Sequence, residues 1–180
     1  MKTLFTVWPF SGHVHPNIAI AQALRERGHE VVFYTGHGAA AAVEGEGFGL
    51  FPFQRIDEER LNDTVYSERR AIPLWRRARS HTALLRAWLL DTLPQQVEDQ
   101  SEVIEAWQPD VVVSDVTMWG FPLVLHERHN IPVVVSSFTP GCMIPGPDAP
   151  PWGLGLPLQR NGLGHLRNWL VSTATDFLAK

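Results

Sequence analysis

Apolar residues along this chain follow two alternating rhythms. Short unbroken runs occupy 4–8, 31–35, 48–53, 111–114 and 131–136, and between them apolar residues return every three or four positions. The runs are strand-length and rich in β-branched and aromatic residues, whereas the spaced pattern predicts helices. In 17–27, Ile18, Ile20, Ala21 and Leu24 share one face with Gln22, Arg25 and Glu26 opposite. Pro16 suits the first turn of that helix and Gly28 the position just past its end. A short helix over 39–46 closes at Gly47, 75–107 reads as helical with a break near Pro94, and 119–129 reads as another helix. Residues 54–72 are polar and aperiodic, which predicts a surface loop with some helical character. Over 163–178 helical spacing returns, with Leu166, Trp169, Leu170, Thr173 and Phe177 on one side.

Strands alternating with helices predict an α/β fold, a doubly wound, Rossmann-like parallel sheet forming a single domain over 1–180. The run 111–114 is apolar until Ser114 and Asp115, as expected of a strand covered on both faces. In the common strand order 3-2-1-4-5, strands one and four flank the topological switch point, and ligands bind outside the carboxyl ends of the strands there. The residues just past those two strands are the turn Ser11-Gly12-His13-Val14-His15-Pro16 and Asp115. The stretch 140–160 breaks the rhythm with Pro145, Pro147, Pro150, Pro151 and Pro157 among Gly141, Gly146, Gly153 and Gly155, and predicts a long functional loop. No internal repeat is visible.

Composition narrows the class. The 180 residues are 44% hydrophobic and 19% charged, the balance of a globular protein with a real core. A net charge of −4 and a pI near 6.0 lack the basic footprint of a nucleic-acid binder. Arg69, Arg70, Arg76, Arg77 and Arg79 do cluster, but behind Glu58, Glu59, Asp63 and Glu68, which reads as a solvated helix face. The single cysteine, Cys142, excludes an internal disulfide and a multi-cysteine zinc site. No run is long enough to span a bilayer and no secretory pattern opens the chain, so a cytoplasmic location is expected.

An imidazole hydrogen-bonded to a buried carboxylate is a tuned general base, and His13 with Asp115 could form that pair. No G-x-S-x-G elbow accompanies it, which disfavours acyl transfer and leaves activation of a hydroxyl. Spacing alone leaves a second reading open, in which both residues merely cap the helices that follow. His15, preceding Pro16, reads as a helix-entry residue. The G-x-G-x-x-G fingerprint and the P-loop are both missing, so the first turn is no phosphate cradle. Gly36-His37-Gly38 reads as a flexible turn. Trp8, Phe10, Gly12, Met118, Trp119, Phe138 and Met143 gather around the His13 and Asp115 positions, and such residues could wall an apolar cleft for a hydroxylated acceptor.

These residues carry a family resemblance. SGHVHPNIAIAQALRERGHEVVFYTG resembles the opening of family 1 glycosyltransferases of GT-B fold, of the bacterial macrolide and natural-product type. PDVVVSDVTMWGFPLVLHERHNIPVVVSSFTP resembles their fourth and fifth strands, and PPWGLGLPLQ their acceptor-side loop. The resemblance implies that His13 deprotonates the acceptor hydroxyl, that Asp115 supports it, and that the sugar is transferred from a nucleoside diphosphate with inversion. It implies no cofactor and no required metal, the nucleotide-sugar being a substrate. It also implies variable acceptor loops at 54–80 and 140–160. The His/Gly/Glu-rich donor motif of the family's second domain is absent, so 1–180 resembles an isolated N-terminal, acceptor-binding half with no donor-binding domain.

The expectation is therefore half of an inverting hexosyltransferase acting on an apolar, hydroxylated natural product and inactive alone. Its partner would be a donor-binding domain in cis or in trans. The alternative is a non-catalytic acceptor-binding or assembly subunit that pairs with a separate donor half. Leu166, Trp169 and Phe177 on the C-terminal helix would then be the partner face, also open to self-association. A third option, the lipid-linked peptidoglycan type, uses a more glycine-rich approach than Trp8-Pro9-Phe10-Ser11 supplies.

Overall fold

The computed structural model of the protein describes residues 1–67, 85–137, 149–150 and 156–179, with side chains of 64–67 and 175–179 left aside. By contact the chain divides into two units, Met1–Asp63 with Arg86–Phe138, and Thr64–Leu85 with Thr139–Lys180. The five strands among the described residues all belong to the first.

They are β1 (Lys2–Thr6), β2 (Glu30–Thr35), β3 (Gly49–Pro52), β4 (Val111–Asp115) and β5 (Val133–Ser136). Every pairing is parallel and the order is β3-β2-β1-β4-β5, so β1 and β4 do lie side by side at the switch point. The register sets Phe5 opposite Phe33 on one side and Val113 on the other. Side chains alternate across a pleated strand, and this alternation splits the core in two. Leu4, Val32, Tyr34 and Val112 point to one face. Phe5, Val31, Phe33 and Val113 point to the other, where the Phe5 and Phe33 rings stack at 5.0 Å.

Helices cover both faces. α1 (Ser11–Glu26) and α2 (Ala40–Gly45, entered through a 3₁₀ turn at His37–Ala39) bury Val14, Ile18, Ala21 and Val43 on the second face. On the first lies α4 (Leu93–Trp107), preceded in the chain by α3 (Glu58–Ser67), together with a π-helical turn at Phe121–Leu125 that runs into α5 (His126–His129). β3 and β5 are the edge strands, and Val134 and Val135 on opposite faces of β5 are both exposed. In the second unit, α6 (Gly162–Ala179) leaves Leu163, Leu166, Trp169 and Leu170 exposed. No helix among the described residues is long and apolar enough to cross a membrane.

Three expectations need correction. α1 starts at Ser11, ahead of the predicted 17–27. Phe10 is extended, and its carbonyl accepts the N–H groups of both His13 (2.8 Å) and Val14 (2.9 Å), which nucleates the helix early. Pro16 consequently sits inside the helix, where its missing N–H forgoes the bond to the Gly12 carbonyl. Within 54–72, the helical character expected of the loop is a full helix, α3, over Glu58–Ser67. Gly36-His37-Gly38 is an ordered turn, because the Glu58 carboxylate accepts the N–H groups of His37 (2.7 Å) and Gly38 (2.8 Å). A Cβ at Gly36 would come within 2.5 Å of that carboxyl group, so the glycines make room for it. Other signals were read correctly: Gly28 takes φ +81 just past α1, and the break expected near Pro94 falls at the start of α4.

Candidate active site

The turn after β1 and the turn after β4 meet. His13, in the first turn of α1, places Nδ1 2.8 Å from Asp115 Oδ2. The Asp115 side chain is fully buried and that of His13 is 18% exposed, so the pair has one dry end and one end near the surface. A carboxylate can only accept, so Nδ1 carries the hydrogen of this contact and the imidazole is the Nδ1–H tautomer or the imidazolium. The backbone of this turn is anchored within α1, with Val14 buried and the buried Asn17 donating its Nδ2–H to the His13 carbonyl at 2.9 Å.

Asp115 is gripped on its other oxygen. Thr117 donates to Oδ1 twice, from its backbone N–H (2.8 Å) and from its hydroxyl (2.6 Å). The following turn is closed by Met118 N–H on the Asp115 carbonyl and by the Ser114 hydroxyl on the Met118 carbonyl. Thr6 on β1 donates to Ser114 Oγ at 3.1 Å, tying the ends of β1 and β4 together.

Aromatic rings wall the imidazole. Phe10 and Trp88 lie edge-on to His13, at 5.8 and 6.1 Å between centroids, and Trp88 makes edge contacts with Phe10 and Trp8 as well. Phe10 and Trp119 are half-buried, and Gly12 is exposed with open space where a Cβ would be. Trp8 and Met118 are buried in the core, so they back the wall rather than face it. Trp8 donates Nε1–H to the Thr117 carbonyl at 3.0 Å. His15 is exposed one turn along α1. Phe138, Met143, Cys142, the arginines 69–79 and most of 140–160 lie outside the described residues. Among the described residues, no three His, Cys, Asp or Glu side chains group to hold a metal.

Two contributors were not anticipated. Trp88 falls in a periodic helical stretch, where it looks like any core residue. Thr117 did leave a signal, because an aspartate just past a strand often accepts the backbone N–H two residues on in an Asx-turn. A second buried carboxylate was missed altogether. Asp99 on α4 accepts the Tyr34 hydroxyl (3.1 Å) and the N–H groups of Gln54 (2.9 Å) and Arg55 (3.2 Å) on Oδ2, and Arg55 Nη1 (2.7 Å) on Oδ1. Arg55 also pairs with Glu98 and Glu102. Burial first, and the Asp99 charge second, push the Tyr34 phenol far above its ordinary value, while Glu102 and Asp99 hold the Arg55 guanidinium protonated. A cleft of about 240 Å³ opens beside this cluster, lined by Phe51, Gln54, Glu102 and Val103 and without His13 or Asp115.

A parallel sheet in this order, with the turns after β1 and β4 brought together, is a Rossmann-like, doubly wound α/β fold. Comparison with known proteins supplies the family. Residues 19–179 match the glycosyl transferase 4-like domain, and the chain belongs to that family. It is 31% identical to 4'-demethylrebeccamycin synthase of Lentzea aerocolonigenes over 178 residues, 97% of this chain and 41% of that protein. It is 32% identical over 136 residues to UDP-N-acetylglucosamine--N-acetylmuramyl-(pentapeptide) pyrophosphoryl-undecaprenol N-acetylglucosamine transferase of Polaromonas naphthalenivorans, covering 69% of this chain and 34% of the other. The crystal structure of the glycosyltransferase SnogD from Streptomyces nogalater aligns over 99% of this chain and 40% of its own, with a TM-score of 0.51 and 24% identity, a likeness of fold. The chain thus spans less than half the length of these relatives.

Proposed function

We propose that this domain is the acceptor-binding, base-supplying half of an inverting glycosyltransferase. The 2.8 Å contact between His13 Nδ1 and buried Asp115 carries the reading, because it builds an oriented base beside an aromatic wall. In this reading His13 Nε2 takes the proton of an acceptor hydroxyl. The acceptor oxygen bonds to the anomeric carbon of the donor sugar as the bond from that carbon to the diphosphate breaks, and the nucleoside diphosphate leaves with the electron pair. Asp115 remains ionised and stabilises the imidazolium. Phe10, Trp88 and Trp119 contact a hydrophobic, hydroxylated small molecule; Phe138 and Met143, expected from the sequence to join them, lie outside the described residues. Trp8 and Met118 support Phe10, Trp88 and Trp119, and Gly12 is exposed in the same turn as His13.

The groups that stabilise a departing diphosphate belong to a donor-binding domain outside these 180 residues, in cis or in trans, so the domain turns over negligibly by itself. The exposed Leu166 and Trp169 of α6 favour a second reading, an assembly subunit whose C-terminal helix receives a separate donor half or a second copy.

The test uses the complete transferase carrying this domain, a nucleotide-sugar, and a panel of phenolic, macrocyclic and lipid-linked acceptors. His13→Ala is expected to lower kcat by about 10²–10⁴ while acceptor KM changes little. A raised KM with kcat intact would make His13 a positioning residue and overturn the base assignment. Useful turnover by the 180-residue chain alone would overturn the two-domain reading.

A further inference from the structure

Thr117 is buried, 1% exposed, and spends every polar group it has on two neighbours. Its N–H and its hydroxyl both donate to Asp115 Oδ1, at 2.8 and 2.6 Å. Its carbonyl accepts the Nε1–H of Trp8, just past β1, at 3.0 Å. A helix cap or an ordinary turn residue would need only one of these contacts. Here they close a chain from the indole of Trp8, through Thr117 and Asp115, to Nδ1 of His13.

The chemistry of the arrangement follows from how a carboxylate turns. An aspartate can rotate about its Cβ–Cγ bond, exchanging which oxygen faces a partner and tilting both. Two donors on Oδ1 remove that freedom and leave Oδ2 aimed at His13. They also draw negative charge toward Oδ1, which moderates how strongly Oδ2 pulls on the Nδ1 hydrogen, since donors to one carboxylate oxygen compete with donors to the other. The Ser114 hydroxyl, on the preceding residue, is given to the Met118 carbonyl at 2.8 Å.

From this geometry we infer that Thr117 is a positioning residue of the His13–Asp115 pair, fixing the Asp115 carboxylate and tempering its hold on the imidazole. The inference rests on His13 being the base, and Thr117 itself touches no substrate. Because the relay begins at Trp8, packing changes behind the aromatic wall reach the base through Thr117.

The test compares Thr117→Val, which keeps the shape and loses the hydroxyl, with Thr117→Ser, which keeps the hydroxyl. In the ¹⁵N-labelled 180-residue chain, the His13 Nδ1–H proton resonance is expected to move downfield in Thr117→Val and to stay in place in Thr117→Ser. In the complete transferase, Thr117→Val is expected to lower kcat about tenfold, the factor for losing one charge-assisted hydrogen bond behind the base. Acceptor KM is expected to hold, the acid limb of the kcat profile to move to higher pH, and Thr117→Ser to restore both. If Thr117→Val does not fold, Thr117→Ala removes the same hydroxyl and carries the same expectations. An unmoved resonance and an unmoved acid limb in a folded hydroxyl-less variant overturn the inference. His13→Ala separates the two failures: full turnover in that variant sinks the base reading, whereas lost turnover there with an inert Thr117 sinks this inference alone.

Discussion

Two buried aspartates hold a basic side chain in this domain, and they do opposite things with it. Asp115, at the end of β4, meets His13 at 2.8 Å; Asp99, in the middle of α4, meets Arg55 at 2.7 Å. Each accepts further hydrogen bonds from neutral donors, Thr117 in one case and Tyr34, Gln54 and Arg55 backbone in the other. The difference lies in the cation. A guanidinium keeps its proton at any pH the fold survives, so the Asp99 cluster ties the residues after β3 to α4. An imidazole can give and take a proton near neutrality, so the same kind of pair at the switch point becomes a candidate base. A buried carboxylate and a short ion pair are therefore not evidence of chemistry by themselves. Partner type and position at the strand ends decide.

Exchanging each aspartate for asparagine is the sharpest way to break the comparison. Asp115→Asn is expected to lower kcat of the complete transferase by about 10²–10⁴, because the amide can donate to Nδ1 and favour the wrong tautomer. Its urea unfolding midpoint should move much less, and a large fall in stability with turnover preserved would reverse the roles assigned here. Asp99→Asn should do the converse. It removes the buried charge on which Tyr34, Arg55 and the N–H groups of Gln54 and Arg55 converge and is expected to lower the urea unfolding midpoint more than Asp115→Asn does, with kcat within about twofold of the parent. Loss of turnover in a folded Asp99→Asn variant would show that the cluster takes part in catalysis.

A smaller effect sharpens the structural side. The Tyr34 phenol is raised in the folded state by burial and by Asp99, so it keeps its proton where the unfolded chain would lose it. Its contribution is complete below the ordinary phenol value near 10 and declines as pH rises above it. Stability measured by urea unfolding should therefore fall with a steeper slope above pH 10 in the parent than in Tyr34→Phe. Identical slopes would remove Tyr34 from the Asp99 cluster energetically.

Much of this architecture is legible along the chain. Five short apolar runs separated by amphipathic stretches predict a parallel sheet, and the observed order puts the His13 and Asp115 turns side by side as expected. Periodicity reports which face of an element is buried, and it does so here within a few residues. It fails where a single long-range bond overrides local pattern. Glu58 looks like one more surface charge before a polar loop, yet its bonds to His37 and Gly38 order a turn that its glycines suggest is loose. Phe10 looks like an acceptor contact, and its carbonyl also starts α1 six residues early.

By itself the sequence determined the class of fold, the switch point, and the pair of residues nearest it, because strand and helix periods and turn chemistry are local properties. Only the tertiary structure decided how that pair is built. Trp88 reaches His13, and Trp8 reaches Thr117, through packing and a hydrogen bond whose partners no period encodes. Trp8 and Met118 turned out to lie behind the wall, since burial depends on which elements stack above a strand end. The same holds for Asp99 and Arg55: they are 44 positions apart, and only the folding of α4 against β2 and β3 makes them a pair.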